Sequence, residues 1–167
     1  LEYKQKKRRK NKDLFYLLAS GVSMRRCSLI LNLNKLTIQR KLIYLAKKSV
    51  QSQEKLLQQF KKNPVKKVQI DDLITIEHTK LKPLSISVAV SHDSRIILGT
   101  EVSQIPSFGH LSKKSLQKYG KRPSHHAKGL DKLFKKMSKL IDPHATFESD
   151  EHKFYPVIIN KYFPKAI

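Results

Sequence analysis

Val68–Lys80 reads VQIDDLITIEHTK, two adjacent acids inside an otherwise apolar, β-branched run. Val68, Ile70, Ile74 and Ile76 recur with a period of two, which predicts a β-strand with one apolar face. In such a strand Asp71 and Asp72 point to opposite sides, and Asp72 shares the side of the apolar residues. A carboxylate in that position is costly unless a cation or a set of donors compensates it. The pair therefore reads either as a charged strand edge that discourages sheet-to-sheet association or as part of a metal site.

Further strand and helix signals lie on both sides. VKKVQIDDLITIEH (65–78) predicts the first strand, LSISVAVSHD (84–93) a second and RIILGTEVSQI (95–105) a third, with His92, Asp93 and Ser94 as a tight hairpin turn. Three strands in this order form an antiparallel meander. PSFGHLSKKSLQKYGKRPSHHAKG (106–129) has little apolar periodicity and reads as a connection. LDKLFKKMSKLI (130–141) follows as a helix whose Leu130, Leu133, Phe134, Met137 and Ile141 share a face. ATFESD (145–150) reads as a fourth strand ending at Asp150, and HKFYPVIINKYF as helical or irregular, any helix starting near Pro156.

Upstream the pattern is helical. DLFYLLAS predicts a short apolar helix from Asp13; Ser23 is placed to cap a second, MRRCSLIL; Asn34 is placed to cap a third, KLTIQRKLIYLAKKSV. On that third helix Leu36, Ile38, Leu42 and Leu45 fall at helical spacing, which leaves Lys35, Thr37, Gln39, Arg40 and Lys41 for other faces. Three short helices with Gly21 and Asn34 near the turns fit a helix-turn-helix. Gln39 and Arg40, with Thr37, are the candidates to reach base edges; Arg25, Arg26, Lys35 and Lys41 are the candidates for the phosphate backbone. A solvated helical face is the plainer reading of the same charges. Helical character continues through QSQEKLLQQFKKN and stops at Pro64, which cannot continue a helix and disfavours helix in Asn63.

Composition points the same way. The 167 residues carry 35 Lys+Arg against 13 Asp+Glu, a formal net charge of +22 that calls for a polyanionic partner. A spanning helix needs roughly 18 to 20 apolar residues; no run approaches that, and no apolar leader follows the basic start. The expected location is cytoplasmic, with no membrane partner. A single cysteine, Cys27, excludes an internal disulfide and a Cys-rich zinc site. It falls on the second helix where a small apolar residue packs. The chain starts at Leu1 rather than Met and ends on KYFPKAI, so it reads as a piece of a longer protein.

The expected organisation is a basic disordered arm (1–12), a helix-turn-helix module (13–50), a helical linker (51–64) and an α/β domain (65–167). The fold class is α/β (α+β). The order strand, strand, strand, helix, strand opens an RNase H-like domain, in which the fourth strand lies parallel beside the first. Acids in strand one and at the end of strand four then meet, and repel unless a divalent ion sits between them. Oxygen ligands favour magnesium, which suits in-line phosphoryl transfer.

Together, GVSMRRCSLILNLNKLTIQRKLIYLAK, VQIDDLITIEHTKLKPLSISVAV, ILGTEVSQIPSFGHL and ATFESDEHKFYP resemble the DDE transposases of bacterial insertion sequences over Asp13 to Pro164. The resemblance implies that Asp71 is the first catalytic and metal-binding carboxylate and Asp150 the second, with Asp72 and Glu151 as the alternates. The family's third carboxylate, a glutamate on a later helix, has no counterpart before Ile167. Also implied are Mg²⁺ (or Mn²⁺), strand cleavage and strand transfer on double-stranded DNA at transposon ends and target, homo-oligomers on DNA, and a nucleoid-associated bacterial protein. Lys113, Lys114, Lys118, Lys121 and Arg122 would then face DNA as a phosphate track.

Competing readings stand beside these. Asp150 suits the cap of the following helix. Glu77 and Glu101 read as ordinary strand residues. His110, His125, His126, His144 and His152 enrich the second half without the spaced pairing of a zinc motif, so a solvated loop is the expectation for them. A non-catalytic DNA-binding regulator with the same helix-turn-helix is the alternative function. A ribosome-associated basic protein would explain the charge but leave Asp71 and Asp150 unexplained.

Overall fold

The structure, a computed structural model, describes residues 6–150 and 152–167. The chain forms two compact units, Leu1–Leu56 and Leu57–Ile167.

The first unit is helical: α1 (Lys10–Ala19), α2 (Met24–Leu31) and the start of α3 (Lys35–Leu57). Ser23 caps α2 by accepting from the Arg26 N–H at 3.4 Å, and Asn34 Oδ1 accepts from the Leu36 N–H at 2.9 Å at the start of α3. Between them Asn32 takes the left-handed conformation (φ 49°) that ends α2, a role Asn fills when Gly is absent. Leu14, Cys27, Leu31, Leu33, Ile38, Tyr44 and Leu45 form the core. Cys27 is fully buried, as its helical position predicts.

Three expectations need correction here. Lys10–Lys12, assigned to a disordered arm, belong to α1, and the turn before it is closed by Lys10 N–H donating to Lys7 O at 3.1 Å; Leu1–Gln5 lie outside the described residues. Lys41, expected on the DNA backbone, is 4% exposed, and its Nζ donates to Asn11 Oδ1 and to Lys7 O. Its alkyl stem completes the stripe Ile38, Lys41, Tyr44, Leu45, whereas Leu36 is 61% exposed and so does not face the core. As expected, helical structure continues past residue 50 and stops before Pro64: α3 runs to Leu57 and a short α4 (Gln59–Lys62) follows.

The second unit is a mixed sheet: β1 (Val65–Ile76), β2 (Pro83–Ser91), β3 (Ile97–Gln104) and β4 (Ile141–Ser149), in the order β3-β2-β1-β4. β1 pairs antiparallel with β2 and parallel with β4, as the strand order predicts. The hairpin between β2 and β3 closes with Ser91 N–H donating to Ile96 O at 2.9 Å. Between β3 and β4 come α5 (Leu111–Tyr119), α6 (His126–Met137) and a 3₁₀ turn (Ser138–Leu140); α7 (Phe154–Tyr162) follows β4. α5 lies in the stretch read as a connection. It is held in part by a polar contact, the buried Ser115 Oγ donating to Leu81 O at 2.8 Å, which an apolar-periodicity reading does not register.

The core fills one side of the sheet. Val68, Ile70, Ala89 and Leu98 pack against Leu130, Leu133, Phe134 and Met137 of α6 and Tyr155 and Ile158 of α7. Gly129 sets the approach of α6 to β3, since a Cβ there would stand 1.8 Å from Ser103 Oγ. Glu101 anchors the same contact through Lys132 and Lys136, each at 2.7 Å. Among the described residues no helix is long and apolar enough to cross a membrane.

Candidate active site at the ends of β1 and β4

The parallel ladder places the acids. Val68 pairs with Phe147, Gln69 with Glu148 and Ile70 with Ser149, so the next residues along the two chains are Asp71 and Asp150. Neighbouring strands run about 4.8 Å apart, but Asp150 lies just past β4 and its side chain turns to the side of Asp72, not to that of Asp71. Acids 79 positions apart in sequence thus arrive level at the end of one ladder.

Asp71 and Asp72 differ sharply in surroundings. Asp71 is exposed, on the face of Gln69 and Leu73, and its Oδ1 accepts only from the neighbouring Asp72 N–H, at 2.7 Å, among the contacts resolved. Asp72 turns to the opposite side, toward α6 and α7. Its Oδ1 accepts from Ser85 Oγ at 2.9 Å and from Ser87 Oγ. Its Oδ2 accepts from Tyr155 Oη at 2.8 Å and lies 2.8 Å from His126 Nε2. Burial pushes the Asp72 carboxyl upward, but the hydrogen bonds of Ser87, Tyr155 and Ser85 and the charge of His126 outweigh it and hold the group below the usual carboxylate range. The Tyr155 phenol moves strongly the other way: burial first, then its bond to Asp72, then the charges of Asp72, Asp150 and Asp71 push it up. All three acids thus act on one hydroxyl.

Asp150 is exposed and follows the last residue of β4; its Oδ1 accepts from the His152 N–H at 3.4 Å in a local turn, and it does not cap α7, whose N-cap position is Lys153 with no side-chain cap bond. With Asp72, Ser85, His126, His152 and Lys153 it lines a cleft of about 470 Å³. Asp71 lines a separate hollow with Gln69, Val88, Val90 and Arg95. Glu151 lies outside the described residues.

Two histidines read as solvated are not. His126 is 5% exposed at the start of α6, and its ring meets that of His152 edge-on with centroids 4.8 Å apart. The adjacent pair His125-His126 was the visible signal, but nothing in it tells which ring the helix turns inward.

The basic candidates divide as well. Arg25, Arg26, Lys35 and Arg40 are exposed on α2 and α3, while Thr37 and Gln39 are half-buried. Lys113, Lys114 and Lys118 stand exposed on α5, with Lys121 just beyond it. Arg122, expected on the phosphate track, instead points inward: its side chain is 10% exposed, 3.7 Å from Glu77, and donates to Pro83 O at 3.4 Å. It ties the loop after α5 to the start of β2, and Glu77 is its partner rather than an idle strand residue.

Comparison with protein-family models, with curated proteins and with solved structures finds no match to this chain.

Proposed function

We propose that this chain belongs to a DNA-cleaving and strand-transferring enzyme of the DDE transposase class, acting on duplex DNA. The observation that supports the reading most is the β1–β4 register: Asp71 and Asp150 are the residues next after the Ile70–Ser149 pair, although their side chains line hollows on different sides of the sheet. A net charge of +22 and a helical unit with Arg25, Arg26, Lys35 and Arg40 on its surface support a nucleic acid as partner.

The donor set suits a hard divalent ion. Asp71 and Asp150 are carboxylates with solvent-facing oxygens, the ligands Mg²⁺ or Mn²⁺ prefers. Asp72 faces the other side of β1 from Asp71, with both of its oxygens bonded to donors of the protein. When bound, Mg²⁺ or Mn²⁺ would neutralise charge on the scissile phosphate and help activate an oxygen nucleophile. The protein's own part is positional. Asp72, gripped from β2, α6 and α7, holds the middle of β1 still, so that Asp71 on the other face has a defined direction. Exposed lysines and arginines supply affinity that falls steeply with salt.

The test is Mn²⁺ binding followed by electron paramagnetic resonance, alongside fluorescence anisotropy on a labelled duplex. Asp71→Asn and Asp150→Asn are each expected to weaken Mn²⁺ binding while leaving duplex affinity and the circular dichroism spectrum unchanged. Undiminished Mn²⁺ binding in both variants would refute the carboxylate pair. Duplex binding that remains selective without any metal effect would favour the alternative, a non-catalytic DNA-binding regulator built on the same helical unit.

A further inference from the structure

We propose that Asp72, His126 and His152 form a second cation site, selective for a borderline transition ion of the zinc or cobalt class and distinct from the Asp71–Asp150 pair. The three come from β1, the first residue of α6 and the segment between β4 and α7. One ligand atom from each lies within 4.8 Å of the others. Two imidazoles and one carboxylate are a donor set that magnesium disfavours and that zinc, cobalt and nickel favour.

The surroundings prepare the carboxylate as a ligand. Ser85 and Ser87 hold Oδ1 and so fix the direction of Oδ2, as hydrogen-bonded neighbours orient metal-bound carboxylates elsewhere. Oδ2 faces His126 Nε2 at 2.8 Å, which in the metal-free protein places a proton on that nitrogen. An arriving ion takes that position between nitrogen and oxygen, the Nε2 proton leaves to solvent, and the Tyr155 hydroxyl gives up its bond to Oδ2. Ligands about 2.1 Å from a tetrahedral ion stand roughly 3.4 Å apart, so the widest separation must close by a little over an ångström. His152 is the member whose shift closes it: its ring is half-buried in the cleft lining beside His126, Phe154 and Tyr155, and its Nδ1 accepts a long 3.4 Å bond from the Phe154 N–H. The cleft of about 470 Å³ gives the ion a way in.

The experiment is titration of the tag-free full chain with Co²⁺ at neutral pH, read by visible d–d absorption, with Zn²⁺ as competitor. One Co²⁺ per chain with an intensified band, displaced by Zn²⁺ but not by an excess of Mg²⁺, is the expected result. Binding releases a proton, so affinity rises with pH. His152→Ala, a change at a partly exposed position that leaves the core intact, weakens Co²⁺ binding at least about tenfold, and His126→Ala does the same. Asp71→Asn, on the other face of β1, keeps the band, which separates this site from the proposed catalytic pair. A spectrum no different from the hydrated ion, or a band that survives in both histidine variants, would overturn the assignment.

Discussion

Replacing Asp72 by alanine isolates what the inward carboxylate does for the fold. The substitution leaves Ser85, Ser87, Tyr155 and His126 facing a gap where they now share one acceptor. Hydrogen bonds to a charged acceptor are worth roughly 1.5–3 kcal/mol each, and four of them would sum to about 6–12 kcal/mol. Two effects reduce this. Burying the carboxylate costs several kcal/mol that the variant no longer bears, and water from the adjoining cleft reaches some of the stranded donors. A net loss of about 3–5 kcal/mol is therefore expected, the range found when one partner of a buried charged network is removed. Urea denaturation followed by circular dichroism, with the transition of the sheet unit fitted separately, measures it. Asp72→Asn retains a carbonyl for the serines and should lose about 2 kcal/mol. The wild-type pH profile gives an independent check. Because the Asp72 carboxyl is held below its ordinary value in the folded chain, its contribution is complete above that value, about 3.9, and disappears as the pH falls through the lower folded value. Asp72→Asn removes this acid-side decline. A loss under about 1 kcal/mol in Asp72→Ala, with an unchanged acid limb, would refute the idea that this residue organises the middle of β1 against α6 and α7.

Gly129→Ala puts a methyl group against Ser103 Oγ, which must move with β3, so thermal unfolding should report a loss of about 1–3 kcal/mol. Burial lowers the Lys41 pKa, so the folded chain sheds that proton before the unfolded chain does. The helical unit should accordingly gain stability as the pH rises toward the ordinary lysine value of about 10.4, and Lys41→Met should abolish that rise in denaturation curves. Arg40→Ala should lower duplex affinity and reduce the slope of log affinity against log salt by about one. Arg122→Ala, a variant of an inward-pointing side chain, should instead lower the melting temperature and leave the salt slope unchanged.

Where one physical signal governs an element, reading the residues in order finds it. Period-two apolar residues predict β1, β2 and β3, the face of Leu130, Leu133, Phe134 and Met137 predicts α6, and the order of elements predicts β4 parallel to β1. Polar groups at work inside the structure escape this reading. Lys41 is a charge that completes an apolar stripe, Ser115 ties its helix to Leu81 through its hydroxyl, and Arg122 braces a loop from within. Each looks like surface in the sequence, because its partner is remote and only the fold brings the two together. His126 is the same case: its environment is set by Asp72, 54 positions earlier.

The strand that carries the two acids also explains why both are there. A single aspartate in β1 could not both hold the sheet to its helices on the inner face and keep its oxygens open to solvent on the outer one. Strand alternation separates the two tasks at the cost of one residue. Asp72 on the inner face collects donors from β2, α6 and α7, while Asp71 on the outer face keeps exposed oxygens at the level of Asp150. This division makes the two positions non-equivalent under the same isosteric change. Asp71→Asn should leave denaturation within about 0.5 kcal/mol of wild type, as exposed substitutions do, and abolish tight Mn²⁺ binding. In Asp72→Asn the principal effect is on stability, and any effect on Mn²⁺ should shrink when the fold is restored with a stabilising osmolyte. If the two variants lost Mn²⁺ binding equally in that osmolyte, the ion would be drawing on both acids, and the separation of roles along β1 would be wrong.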